Sequence, residues 1–205
     1  MTQYSLTCVN NSKLTGDFCV FQKQPPIAPM PGNLFATAWL VKPAASTTSV
    51  TFTWNTDYGF TWSETGTLIP GVTFKASQTW AADLSGHNYV DLTVDPVGAT
   101  TFANSSGNGI PGGLTINQTG LVVPGQTSIG IAMSGSAMCA IQAAPNMKAV
   151  FTPHPSYYVM FGTFEQGQVI DIEDLTSNYQ QVTFYGAQTS ATVVLGGNNV
   201  LSQTV

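Results

Sequence analysis

The chain has 205 residues, of which 43% are hydrophobic, 11% aromatic and only 7% charged; ordinary hydrophobicity with the charge missing marks a folded chain, not a disordered one. Ten Asp and Glu stand against five lysines and no arginine, for a net charge of −5, so the cationic footprint of a nucleic-acid binder is missing. The guanidinium clamp for phosphates is missing with it, and no glycine-rich phosphate loop stands between a strand and a helix, which makes nucleotide and phosphosugar enzymes poor candidates.

Tyr4–Val9 alternates and ends in the turn cluster Asn10-Asn11-Ser12; Phe18–Gln22 follows Gly16-Asp17 and reads as its hairpin partner. Across that hairpin Cys8 and Cys19 face each other as a disulfide candidate, the alternative being three reduced, buried thiols with Cys139. Residues 24–33 hold four prolines and predict an ordered loop or extended arm. Phe35–Lys42 and Ser49–Trp54 are the next strands. Phe52, Trp54, Phe60 and Trp62 then alternate with small polar residues on both sides of Asp57-Tyr58-Gly59, which predicts a hairpin with one apolar face and Tyr58 at its tip.

Gly71–Trp80, Asn88–Val94 and Thr100–Ala103 continue the strand pattern, and a turn-rich loop over 104–113 leads to Leu114–Gln118. Ser128–Met133 and Ala137–Ala143 flank Ser134-Gly135-Ser136 as a hairpin. Ala149–Thr152 follows, then Tyr157–Phe164 and Gln168–Ile172, a pair turning at Glu165-Gln166-Gly167. Gln181–Tyr185, Ala191–Leu195 and Val200–Val205 close the chain, the last two joined at 196–199. The one helical hint is a single turn after Asp171. About a dozen or more short strands, turn signals every eight to twelve residues and no helical period predict an all-β fold. The expected architecture is a single domain over 1–205, a two-sheet antiparallel β-sandwich.

Catalytic constellations are sparse. His87 and His154 are far apart in sequence, which is not the convergent spacing of a zinc site. Glu165, Asp171, Glu173 and Asp174 crowd one stretch; they read as a calcium set or, without a DxDxDG loop, as a solvated acidic patch. Asp57 and Glu64 flank the aromatic segment and form the candidate carboxylate pair of a glycosidase. No GxSxG elbow is present. No cofactor is expected. Trp39, Trp54, Trp62 and Trp80 read as a sugar- or lipid-facing platform or as core, and strand alternation favours core for Trp54 and Trp62; Tyr58, Tyr157 and Tyr158, with His154 between two prolines, are the candidates for exposed ligand contacts.

Five stretches carry a family resemblance: Val9–Gln22 (VNNSKLTGDFCVFQ), Phe52–Gly66 (FTWNTDYGFTWSETG), Gly71–Trp80 (GVTFKASQTW), Gly130–Gly135 (GIAMSG) and Phe151–Tyr158 (FTPHPSYY). In this collinear order the sequence resembles the RhiA family. The resemblance implies a bacterial protein of the rhizosphere, associated with quorum-sensing-regulated genes. It carries over no activity and no catalytic or binding residues.

The N-terminal stretch has no basic or strongly apolar region and no apolar run approaches 18 residues. The expectation is a cytoplasmic protein with no transmembrane segment, signal-independent export being left open. The residues favour a non-enzymatic binding or interaction protein for a glycan, a small molecule or a protein partner. A self-assembling homo-oligomer, a membrane-active protein and a hydrolase stand as alternatives.

Overall fold

The computed structural model describes residues 2–23, 33–154, 156–170 and 178–204. Among these there are eighteen strands and no helix: β1 (Gln3–Asn10), β2 (Gly16–Gln22), β3 (Phe35–Thr37), β4 (Leu40–Ala44), β5 (Ser49–Asn55), β6 (Tyr58–Ser63), β7 (Gln78–Ala82), β8 (Tyr89–Val94), β9 (Thr100–Ser106), β10 (Leu114–Gln118), β11 (Ser128–Met133), β12 (Ser136–Gln142), β13 (Met147–Phe151), β14 (Tyr157–Gly162), β15 (Val169–Ile170), β16 (Tyr179–Val182), β17 (Ser190–Leu195) and β18 (Leu201–Thr204). The all-β expectation holds. The helical turn expected after Asp171 lies outside the described residues, as does most of the proline-rich arm.

The partition into two antiparallel sheets is corrected. The strands hydrogen-bond into four sheets, ordered β18-β17-β1-β5, β16-β14-β2-β4, β15-β3-β12-β11-β6-β7 and β13-β10-β8-β9. Two pairings are parallel: β1 with β17, from Ser5 opposite Ser190 to Asn10 opposite Leu195, and β10 with β8. Alternation records which face of a strand is buried, not which strand lies beside it, so sheet membership was not in the pattern.

Three expected hairpins fail for that reason. β1 pairs with β5 and β17 while β2 pairs with β14 and β4. β5 and β6, on either side of Asp57, lie in different sheets, as do β14 and β15. The strand expected over Gly71–Trp80 is shorter: β7 begins at Gln78, and Thr73 makes only an isolated bridge to Gln168. The hairpins β11–β12 and β17–β18 form as expected.

β5 shows why these residues make strands. Phe52 and Trp54 are buried while Thr51 and Thr53 face solvent, a period of two with β-branched residues on the wet side. β6 and β11 are different: nearly every residue is buried, because both faces are covered. Gly130 in β11 has no room for a side chain, since a Cβ there would collide with the Cys139 carbonyl of β12.

One cluster of buried side chains draws on all four sheets: Leu6 (β1), Phe18 and Val20 (β2), Phe60 (β6), Ile131 (β11), Val90 (β8) and Ile116 (β10), with Phe52 and Trp54. Each large apolar side chain buried this way contributes about 1.5–3 kcal/mol. The other face of β2 and β14 carries Cys19, Phe21 and Met160, packed with Ala36, Ala38 and Ile170. The 64–77 connection covers the outer face of the third sheet, where Leu68 and Phe74 meet Ala140 and Val169. Between β3 and β4 the chain changes sheet at Trp39, which is wholly buried and donates its indole N–H to the Met133 carbonyl at 2.8 Å.

Candidate functional site

A cleft of about 340 Å³ opens where three segments converge. Trp62 and Glu64 come from the end of β6, Gly98 to Thr100 from the turn between β8 and β9, and Gln126 and Thr127 from the loop before β11. The turn is dictated by Asp95-Pro96-Val97-Gly98. The Asp95 carboxylate accepts from the Val97 and Ala99 amides at 3.0 and 2.9 Å, and Gly98 sits at φ +92°, where a side chain is disfavoured. The 64–66 and 125–127 segments lie against each other, since a Cβ on Gly66 would meet the Gly125 carbonyl. Ser128 Oγ donates to the Thr65 carbonyl at 2.6 Å.

Trp62 is fixed from behind. Its indole N–H donates to Gln78 Oε1 at 2.9 Å, and the same oxygen accepts from the Phe102 amide at 2.9 Å. Gln78 thus ties β6, β7 and β9 together beneath the cleft. Thr127 is buried, and its hydroxyl has no hydrogen-bond partner among the described residues. Glu64 and Gln126 are exposed at the rim. The lining therefore offers hydroxyls, an amide, backbone groups and one carboxylate, and no lysine. Such a set can bind an uncharged polar molecule by hydrogen bonds.

The carboxylate pair does not form. Asp57 and Glu64 stand just outside opposite ends of β6, which at about 3.3 Å per residue puts them roughly 23 Å apart, far beyond the 5–10 Å reach of a glycosidase pair.

The aromatic candidates separate. Tyr157 is buried in a box with Trp54 (ring centroids 4.9 Å apart), Trp39 (6.0 Å), Tyr4 (6.1 Å) and Phe184 (6.0 Å). Tyr58, half-buried, lies at the same end of the fold, close enough to raise the Tyr157 phenol electrostatically. Tyr158 points to the opposite face of β14, stacked on Phe21 at 5.5 Å and edge-on to Tyr179. His154 is exposed. Neither Tyr158 nor His154 shares a site with Tyr157, and none of these four residues lines the cleft.

The acidic candidates fare differently again. Glu165 accepts from Thr73 Oγ1 at 3.0 Å and lies 3.6 Å from Lys75 Nζ, both side chains exposed. Asp171, Glu173 and Asp174 lie outside the described residues. Among the described residues no group of three or more His, Cys, Asp or Glu is placed to hold a metal ion. His87 pairs with Asp83 at 3.1 Å in an exposed turn. Hydrogen bonds from the Gly86 and Ser85 amides, then His87, hold the Asp83 carboxyl well below the usual carboxylate range. Asp91 is ionised more readily than usual in spite of burial, because Asn104, Asn117 and Tyr89 donate to it at 2.7–2.8 Å. Both carboxylates are fully occupied in building the fold.

Cys8 and Cys19 do not form a disulfide: they lie on strands of different sheets and pack in different clusters, and both are free thiols, as is Cys139.

The RhiA family model matches residues 1–204. The chain belongs to the RhiA family. It is 38% identical over 187 residues to Protein RhiA of Rhizobium leguminosarum bv. viciae, covering 85% of this chain and 75% of that protein. No solved structure matches it.

The RhiA-like stretch Phe52–Gly66 builds one wall of the cleft, since it contains Trp62 and Glu64. The opposite wall, Gln126 and Thr127, lies more than sixty residues on, and sequence reasoning missed it. The Asp95-Pro96-Val97-Gly98 turn, also passed over, is a signal the sequence carries, but a turn alone does not say what it stands beside.

Proposed function

We propose that this RhiA-family chain is a non-enzymatic binding protein whose ligand is a small uncharged polar molecule, a glycan fragment being the leading class, seated in the Trp62–Thr127 cleft. The observation that carries the reading is the cleft itself. At about 340 Å³ it falls in the range of small-molecule sites, and its walls gather hydroxyl, amide and backbone groups around an indole edge with a single carboxylate. A lone exposed carboxylate without an acid or base partner supports binding over hydrolysis. The sparse charge of the whole chain agrees with a ligand that needs no counter-ion.

The test is amide and indole chemical-shift mapping of the full chain against a panel of neutral mono- and disaccharides, polyols and amides. Saturable shifts at Trp62, Gly98 and Gln126, weakened about tenfold or more in Gln126→Ala, are the expected result. A panel that moves none of these signals, or moves them equally in Gln126→Ala, overturns the proposal.

A further inference from the structure

Apart from the cleft, the aromatic box at the other end of the fold gathers buried polar atoms that the described residues leave unpaired. Gln22, Trp54 and Tyr157 are 0%, 1% and 5% exposed, yet Gln22 Oε1, Trp54 Nε1 and the Tyr157 hydroxyl have no hydrogen-bond partner among the described residues. They are neighbours. Gln22 of β2 stands directly opposite Tyr157 of β14, which puts both side chains on the same face of the sheet. The Trp54 ring lies 4.9 Å from the Tyr157 ring, and its indole N–H approaches the Tyr157 hydroxyl without closing a hydrogen bond. The rest of each side chain is anchored: Gln22 Nε2 meets Met133 Sδ at 3.8 Å, and Trp39, stacked on Tyr157, donates to the Met133 carbonyl.

Buried polar atoms left without partners are costly and uncommon, and three at one spot are rarer still. Their chemistry specifies what would satisfy them. Indole N–H only donates, the amide oxygen only accepts, and the phenol does both. A hydroxyl is the smallest group that donates and accepts at once. The surrounding side chains, Tyr4, Trp39, Met133 and Phe184, carry no formal charge, so an ion there would lack a counter-charge. Tyr4 and Tyr58, both half-buried, are partly exposed neighbours of Tyr157.

We propose that Gln22, Trp54 and Tyr157 form an internal site that binds the hydroxyl of a small uncharged guest. Two sources share that chemistry: a structural water, or the hydroxyl of an apolar alcohol or phenol entering past Tyr4 and Tyr58. Either guest accepts from Trp54 and donates to Gln22, with Tyr157 completing the set.

The experiment uses the full chain and Tyr157→Phe, which keeps the ring and removes only the hydroxyl. Thermal melting in buffer is combined with titration of cyclohexanol, followed at the Trp54 indole N–H signal, with methylcyclohexane as the shape control. A hydroxyl bonded to a guest makes Tyr157→Phe melt about 2–4 °C lower; one with no guest makes the variant melt at the same temperature or higher. Saturable cyclohexanol binding that methylcyclohexane does not reproduce, weakened about tenfold in Tyr157→Phe, identifies an organic guest. A lowered melting temperature without cyclohexanol binding supports a structural water where the Trp54 indole N–H of the parent chain shows a cross-relaxation peak to a long-lived water; without that peak the loss is that of a direct Trp54–Tyr157 hydrogen bond and the proposal is overturned. An unchanged or raised melting temperature overturns the proposal, as does cyclohexanol binding that is indifferent to Tyr157→Phe.

Discussion

The three cysteines show how burial decides chemistry at the scale of one residue. Burial pushes the Cys8 and Cys139 thiols up to about 12, and pushes Cys19 up further with help from the Asp17 charge. A thiol raised so far carries almost no thiolate at neutral pH, and thiolate is the reactive form. All three are therefore expected to be inert to a thiol reagent such as Ellman's in the native protein near pH 7–8, and all three to react once guanidinium unfolds the chain without reductant. Recovery of one thiol instead of three would show that Cys8 and Cys19 are bridged after all. The sequence offered the cysteine positions and the odd count; it did not offer the neighbours. Tyr157 makes the same point in reverse: its place after a proline-flanked histidine suggested exposure, whereas the register with Gln22 buries it.

At the scale of elements, the sequence was most legible where the turn chemistry and the strand pattern agreed. Between β11 and β12, Ser134 and Gly135 have φ of +51° and +82°, the pair of left-handed residues that a two-residue hairpin with the natural strand twist requires. Nothing lies within 4 Å of a Cβ placed on Gly135, so only the backbone resists a side chain there. Gly135→Ala is expected to lower stability by about 1–2 kcal/mol, read by chemical denaturation with an unchanged slope, and Gly135→Asn by less, because Asn tolerates the left-handed region. Equal stability of Gly135→Ala and the parent chain would contradict the assigned turn. The segment between β5 and β6 lacks such a pair of left-handed residues, and there the expected hairpin failed. Strand positions were readable because burial imposes a period of two. Partners were not, because a strand buried on either face shows the same pattern whichever sheet it joins. The cleft was illegible for a related reason: its walls come from strand ends and the connections beside them, and connections have no periodicity to read.

At the scale of the whole molecule, the feature that sets this protein apart is how little of its stability is ionic. Among the described residues the side-chain contacts between opposite ionisable groups are Lys75–Glu165 and His87–Asp83, the second an ion pair only when the imidazole is protonated; both are exposed, and exposed pairs contribute little. Side-chain amides do some of the work that charges do elsewhere. Gln203 on β18 donates to the Thr183 carbonyl at 2.6 Å and accepts from the Thr183 amide at 2.8 Å, imitating a strand pairing. Neutral hydrogen bonds are not screened, so the melting temperature is expected to move by less than about 2 °C between roughly 50 mM and 1 M sodium chloride. A larger shift in either direction would show that the sparse charges matter more than their exposure implies.

The parallel pairing of β1 with β17 has a temporal side. Ser5 leaves the ribosome long before its partner Ser190, which follows 185 residues later, about 10–40 s at ordinary translation rates. Throughout that interval the first strand presents Leu6 and Cys8 with one long edge bare. Closing the first sheet is consequently a late event, and the nascent chain is most in need of a chaperone around β1 until β17 has emerged.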